Sequence, residues 1–176
     1  MKKLAILTAA VLLLAVTGIG SSVVSAQAVV DPHAPLDVVA RHGMVAAAHP
    51  LAAQAGVDVM KAGGNAIDAA IATALTLNVV EPNASGLGGG GFMVIRFAKT
   101  GDVAVIDYRE KAPASATRDM YASDQAKKEL WTQLGGKAIG VPGTLKGLEM
   151  ALQMYGTLTF ADVAAPAIKL AEEGFE

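Results

Sequence analysis

Residues 86–111 read GLGGGGFMVIRFAKTGDVAVIDYREK and decide the fold. Two near-continuous apolar runs, Phe92–Phe97 and Val103–Tyr108, flank a polar turn at Lys99–Asp102, and this pattern predicts a β-hairpin. Strands that are apolar on both faces are normally covered on both faces. We therefore expect helices to pack on each side of the hairpin.

Two helices are predicted before the hairpin. In Leu51–Lys61 apolar residues recur every four positions, and two glycines follow as a C-terminal stop. The second helix begins after Asn65, whose side chain can cap it, and ends at Glu81-Pro82. The short apolar segment Gly43–Ala48, which precedes both helices, is predicted to be a buried strand. The predicted core face of the second helix consists of Ile67, Ile71, Ala74 and Leu77.

Two longer helices are predicted after the hairpin, at Thr144–Tyr155 and Phe160–Glu173. Thr159 and Asp162 have the spacing of a capping pair for the second of them. The polar segment Arg118–Gly136 is predicted to be surface structure. A helix pair, a hairpin and further helices together indicate an α+β fold.

The N-terminus has the pattern of a cleavable secretory signal peptide. Two lysines precede the apolar run Leu4–Gly20, and the A-x-A sequence Ala26–Ala28 places cleavage after its last alanine, with Ala26 as an alternative site. We expect residues 1–28 to be removed and the protein to be exported to the bacterial periplasm or the extracellular space, with no stable membrane span. The alternative is an uncleaved anchor, because the run approaches the length of a spanning helix. Residues 29–42 are predicted to be an extended mature N-terminus.

The composition excludes several kinds of site. The 176 residues include no cysteine, so disulfides, thiolate metal sites and a cysteine nucleophile are absent. Removal of residues 1–28, with two lysines and no acidic residue, changes the formal charge from −2 to −4, and this balance does not favour nucleic acid. The spacing of His33, His42 and His49 is not typical of a metal site. We expect neither a metal nor a cofactor.

The glycine-rich loop before the hairpin matches G-x-G-x-x-G at Gly86–Gly91. A dinucleotide-binding loop follows a strand and opens a helix, whereas here a helix precedes and a strand follows. Nucleotide binding is therefore not expected. Two interpretations stay open. The glycines can offer backbone N–H groups to an anion or oxyanion, or they can form a tight corner packed beneath another segment.

Residues 107–113 read DYREKAP and place ionisable side chains at the end of an apolar strand. Such a cluster is commonly a solvated turn. The guanidinium of Arg109 can equally bind a carboxylate ligand through two parallel hydrogen bonds. The pattern alone leaves both interpretations open.

Several collinear blocks resemble the γ-glutamyltransferase family and extend across nearly all of the chain after the signal peptide. Their number and order make the resemblance far more specific than any single motif. The blocks are Gly43–Ala46, His49–Ala52, Gly63–Ala70, Val80–Pro82, Ser85–Phe92, Arg109–Pro113, Ala116–Met120, Gly140–Gly143 and Tyr155-Gly156.

The resemblance implies an Ntn hydrolase, in which two central sheets lie between helices in an αββα sandwich. Members are exported precursors that cleave themselves into a large and a small subunit. The threonine exposed at the start of the small subunit is the nucleophile, with its own α-amine as base. It takes the γ-glutamyl group from a donor such as glutathione and passes it to water, an amino acid or a dipeptide. By this resemblance Arg109 binds the α-carboxylate of the donor.

The resemblance covers only the front part of the large subunit, predicted here at residues 43–176. It places the nucleophilic threonine beyond residue 176 and assigns no catalytic residue to this chain, so the chain alone is predicted to be inactive without the small subunit. Three hypotheses follow: an incomplete sequence of an active enzyme, a non-catalytic carboxylate-binding module, or a non-functional remnant. The remnant would expose apolar strands and aggregate.

Overall fold

A computed structural model describes residues 39–176. The predicted signal peptide, its cleavage site and most of the predicted extended N-terminus lie outside the described residues. Five α-helices, a short 3-10 helix and two strands follow one another within them. They are α1 (Pro50–Lys61), α2 (Ala66–Val80), β1 (Phe92–Arg96), β2 (Val103–Asp107), α3 (Asp124–Lys128), the 3-10 helix Gly136–Ala138, α4 (Thr144–Tyr155) and α5 (Phe160–Glu173). The mixture of helices and strands confirms the predicted α+β class at this coarse level.

The helix ends follow from local capping. The side chain of Asn65 accepts hydrogen bonds from the backbone N–H groups of Ile67 and Asp68, at 2.7 and 3.1 Å. Asp68 in turn accepts from the N–H of Asn65 at 2.7 Å, which completes a capping box at the start of α2. Thr159 and Asp162 form the same arrangement at the start of α5. Both predicted helix starts are therefore confirmed.

Helix α2 lies at the centre of the core. Helices α1, α4 and α5 all pack against it. Ile71, on the predicted core face, is fully buried, but Ala69, Ala72 and Leu75 on other faces are almost as inaccessible. The prediction is therefore only partly right: Ile67, Ala74 and Leu77 are half-buried, and the most buried positions lie on the faces that α1, α4 and α5 cover. None of the helices within residues 39–176 combines the length and apolar character required to cross a bilayer.

Strands β1 and β2 form the predicted hairpin, with Val94 opposite Val105 and Ile95 opposite Ala104. Ile95 and Ile106 are buried in the core. Val94 and Val105 point to the other face and are 69% and 61% exposed. The expectation that both faces are covered is wrong for the described residues, because their helices cover only one face.

The prediction of a strand at Gly43–Ala48 is wrong. This segment has no regular secondary structure. A strand requires a neighbour to pair its N–H and C=O groups, and the sheet of the described residues contains only β1 and β2. In contrast, Arg118–Gly136 is largely exposed around the short helix α3, as predicted.

Candidate functional site

The candidate site begins where the chain leaves the hairpin. The backbone N–H of Tyr108 donates to the carbonyl of Gly91 at 3.0 Å, and the N–H of Gly91 donates back at 3.4 Å. The pairing thus continues one residue beyond β2. The N–H of Arg109 then donates to the carboxylate of Asp107 at 3.0 Å, an Asx-type bond that turns the chain away from the sheet. Arg109 therefore lies just beyond the open end of the hairpin, which is the end opposite its turn.

The ring of Tyr108 packs this end of the hairpin against α4. A Cβ atom at Gly147 would collide with the Tyr108 ring, and one at Gly143 would collide with its backbone carbonyl. The two glycines allow the start of α4 to approach the hairpin this closely. Burial of the ring raises the pKa of the Tyr108 phenol. The ring of Tyr108 is packed against Gly147 of α4.

A groove of about 270 Å³ lies between the hairpin end, Val141–Gly143 and α4. We call it the hairpin-end groove. Its charged lining residues are the cationic Arg109, Lys111 and Lys146 and the acidic Asp107. The side chain of Arg109 is 65% exposed, and its Nε lies 3.8 Å from a carboxylate oxygen of Glu110. So exposed an ion pair is weak, and the guanidinium is accessible to a ligand. Its assignment as a carboxylate anchor stays a prediction.

The backbone of Lys111 is held by pairing with Val141. Its N–H donates to the carbonyl of Val141 at 3.3 Å, and the N–H of Val141 donates to the carbonyl of Lys111 at 2.8 Å. Sequence reasoning included Lys111 in the charged cluster but gave it no role, and it missed Lys146. The alternation of extended chain could have indicated that Lys111 lies on the same side as Arg109. No local sequence pattern could have indicated that Lys146 lies at the groove.

The geometry of the glycine-rich loop supports the interpretation as a tight corner. The carbonyl of Gly89 accepts from the N–H groups of Gly143 and Thr144, at 3.0 and 3.1 Å, and so caps the start of α4. A Cβ at Gly90 would lie 2.5 Å from the carbonyl oxygen of Tyr108. The loop follows α2 and precedes β1, the reverse of the order in a dinucleotide-binding fingerprint.

The histidines have no metal-like surroundings in the described part of the chain. Across residues 39–176, no group of three or more His, Asp or Glu side chains is placed to hold a metal ion. His49 instead caps α1, because its Nδ1 accepts from the N–H of Leu51 at 3.2 Å. His33 lies outside the described residues.

Comparison with known proteins places these features in a family context. The model of the gamma-glutamyltranspeptidase family matches residues 52–176. The chain is 52% identical over 147 residues to the glutathione hydrolase proenzyme of Bacillus subtilis (strain 168), an alignment that covers 82% of this chain and 25% of the relative. It is 49% identical over 140 residues to the acylase ACY 1 proenzyme of Pseudomonas sp. (strain V22), covering 76% of this chain and 25% of the relative.

The solved structures show the same likeness. The gamma-glutamyltranspeptidase of Helicobacter pylori matches with a TM-score of 0.73 and 44% identity, over 80% of this chain and 40% of that chain. The chain spans about a quarter of the length of the curated relatives it matches. The hairpin end and its groove lie within the matched segment.

Proposed function

Since the chain belongs to the gamma-glutamyltranspeptidase family, we propose that the full encoded protein is a glutathione hydrolase. It cleaves the γ-glutamyl amide bond of glutathione and passes the γ-glutamyl group to water or to the amine of an amino acid or dipeptide. Residues 43–176 form the front part of its large subunit, within an αββα sandwich that the small subunit completes. The resemblance of the motifs and the identity to glutathione hydrolase proenzymes support this proposal.

The observation that carries the proposal is the accessible guanidinium of Arg109 at the mouth of the hairpin-end groove. A γ-glutamyl donor has a free α-carboxylate, and a guanidinium matches a carboxylate with two parallel hydrogen bonds. The nearby acid Glu110 is separated from Arg109 by 3.8 Å and does not saturate it. Arg109 therefore binds and orients the donor. It takes no part in bond breaking.

The nucleophile is a threonine outside these residues. Its hydroxyl attacks the γ-carbonyl carbon of the donor, the amide C–N bond breaks, and the departing amine takes up a proton through the α-amine base. The resulting γ-glutamyl ester is cleaved by water, which releases glutamate, or by an acceptor amine, which forms a new γ-glutamyl amide. A polypeptide of residues 1–176 alone should therefore release no p-nitroaniline from γ-glutamyl-p-nitroanilide. Turnover by that purified polypeptide would overturn the assignment.

The role of Arg109 is tested by Arg109→Lys in the full encoded protein. Replacement of a bidentate fork by a point charge should raise the KM for γ-glutamyl-p-nitroanilide about tenfold with a smaller change in kcat. Arg96→Lys is the matched control, because Arg96 is exposed elsewhere on the hairpin and should leave KM unchanged. An unaltered KM in Arg109→Lys would remove this residue from the donor site.

An acylase is the second candidate, since the identity to an acylase proenzyme is nearly as high, at 49%. Glutaryl-p-nitroanilide distinguishes the two activities, because it keeps the distal carboxylate of the γ-glutamyl group but lacks the α-amine. A glutathione hydrolase should cleave the γ-glutamyl anilide far faster than the glutaryl anilide. Equal or reversed rates would favour the acylase.

We also propose that the protein is exported by the signal peptide at residues 1–28. The charged start, apolar run and A-x-A site support this. N-terminal sequencing of the protein from the periplasm or culture medium should begin just after Ala28 or Ala26. A start at Met1 in the cytoplasmic fraction would contradict export.

A further inference from the structure

Arg109 and Lys111 both line the hairpin-end groove, whereas Glu110 between them does not. The paired hydrogen bonds between Lys111 and Val141 form an isolated antiparallel bridge, which holds the chain extended at Lys111. Residues two apart in extended chain point to the same face, with Cα atoms about 6.6 Å apart. Both side chains line the hairpin-end groove. The groove thus offers two cations with long, adjustable stems, side by side.

The three cations of the groove differ in their availability. Lys146 is already paired, because its Nζ lies 2.7 Å from a carboxylate oxygen of Glu149. Arg109 has only the loose contact with Glu110. Within the described part of the chain, the ammonium group of Lys111 forms no ion pair or hydrogen bond to another side chain, and the residue is exposed. Lys111 is therefore the cation most available to an incoming anion besides Arg109.

We propose that Lys111 is a second carboxylate anchor, which makes the groove favour γ-glutamyl peptides that end in a free carboxylate over uncharged γ-glutamyl amides. The proposal rests on the proposed function and on Arg109 as the anchor of the α-carboxylate. Glutathione carries two carboxylates, one on the γ-glutamyl residue and one at its glycine end. With Arg109 on the first, the neighbouring ammonium of Lys111 attracts the second. Lys111 thus determines specificity and takes no part in the chemical step.

The test compares two donors that differ only in this carboxylate: glutathione and its C-terminal glycine amide. Glutamate release is measured with the full encoded protein at low salt. An exposed ion pair contributes up to about 1 kcal/mol, so kcat/KM should favour glutathione about three- to fivefold. The preference should decrease at high salt, because salt screens exposed charges.

Lys111→Met keeps the apolar stem and removes the charge, and it should abolish the preference by raising the KM for glutathione alone. Lys111→Arg should retain the preference. Lys146→Met is the control from the same groove and should leave the preference in place. Lys111→Gln is a second neutral variant if Lys111→Met unfolds.

A wild-type protein without the preference, or a preference that persists in Lys111→Met or Lys111→Gln, would overturn the role of Lys111. The proposed function would survive either result. If the wild-type protein cleaves neither donor, both the proposed function and this inference fail.

Discussion

The hydroxyl of Thr157 donates a 2.6 Å hydrogen bond to the carboxylate of Asp68, across 89 positions of the sequence. The same carboxylate accepts from the backbone N–H groups of Thr157 and Leu158, at 3.0 and 3.2 Å, and from the N–H of Asn65 at 2.7 Å. Asp68 is completely buried. One carboxylate therefore joins the start of α2 to the connection between α4 and α5.

Asp68→Asn should lower the free energy of unfolding by about 3 kcal/mol. The amide NH₂ group that replaces one oxygen cannot accept hydrogen bonds, so buried donors lose their partner. Asp58→Asn is the matched control, because Asp58 is exposed on α1, where its carboxylate forms a loose ion pair with Lys61 at 3.7 Å and accepts a hydrogen bond only from the exposed side chain of Gln54 at 2.7 Å. It should change stability by less than about 0.5 kcal/mol. Urea unfolding of the full encoded protein measures both, and equal effects would contradict the role of Asp68.

The Asp68 contacts also predict a pH dependence. Burial raises the pKa of this carboxyl, but the hydrogen bonds from Thr157, Asn65 and Leu158 outweigh burial and hold its pKa below the ordinary value of 3.8. A carboxyl whose pKa is lower in the folded state than in the unfolded state stabilises the fold fully at pH values above the unfolded-state pKa. This stabilisation is lost as the pH falls through the folded-state pKa. Asp68→Asn lacks this titration. The stability difference between wild type and variant should therefore shrink below about pH 4, and a difference that stays constant down to pH 2 would contradict the prediction.

The contacts of Asp68 also show which features local sequence can predict and which it cannot. The capping role of Asn65 and the placement of Asp68 in the first turn of α2 were predictable, because both depend on neighbours within three residues. The contacts to Thr157 and Leu158 were not, because they depend on how α4 and α5 pack. For the same reason the hairpin and four long helices were predicted closely, whereas only Ile71 of the predicted core face of α2 is fully buried.

In the candidate site, too, some residues were predictable from the sequence and others were not. The place of Arg109 at a strand end left two interpretations open, and the family resemblance assigned it to the donor site. Lys146 was missed, because it reaches the groove only through the packing of α4 on Tyr108. The two interpretations of the glycine-rich loop could not be separated by the sequence. The contact between Gly90 and Tyr108 and the hydrogen bonds that Gly89 accepts show the tight corner, while the binding of an anion by the loop stays a prediction.

The corner formed by the glycine-rich loop predicts opposite outcomes for two neighbouring glycines. A Cβ at Gly90 would lie 2.5 Å from the carbonyl oxygen of Tyr108 and 2.8 Å from the backbone nitrogen of Glu110, whereas a Cβ at Gly88 would meet nothing within 4 Å. Gly90→Ala should cost about 1–3 kcal/mol and raise the donor KM by displacing Arg109. Gly88→Ala should leave both unchanged. Thermal unfolding and donor kinetics check the pair, and similar losses in the two variants would argue against the corner.

Thr76 offers a stabilising substitution. Its hydroxyl is fully buried in α2 and has no hydrogen-bond partner within residues 39–176. Val has nearly the same shape without the hydroxyl, so Thr76→Val should raise the free energy of unfolding by about 1 kcal/mol. Thr73→Val is the control, because the Thr73 hydroxyl donates to the carbonyl of Ala69 at 2.8 Å and should yield a smaller gain or a loss. A destabilised Thr76→Val would show that the hydroxyl is satisfied.

The uncovered face of the hairpin predicts how the polypeptide behaves in isolation. Val94 and Val105 form a directly opposed pair that is mostly exposed, and a two-stranded sheet with an apolar face and open edges invites further strands. A polypeptide of residues 29–176 should therefore self-associate. Val94→Thr combined with Val105→Thr should reduce this, because threonine keeps strand propensity and removes apolar surface.

Ile168→Thr is the control for this pair, because Ile168 is 51% exposed but lies on α5, where no strand edge is available. Light scattering during concentration, with thioflavin T to detect strand pairing, compares the three proteins. The double variant should remain dispersed at concentrations at which the parent and Ile168→Thr associate. An equal reduction by Ile168→Thr would assign the association to general apolar exposure, and no reduction in the double variant would exclude this face as its origin.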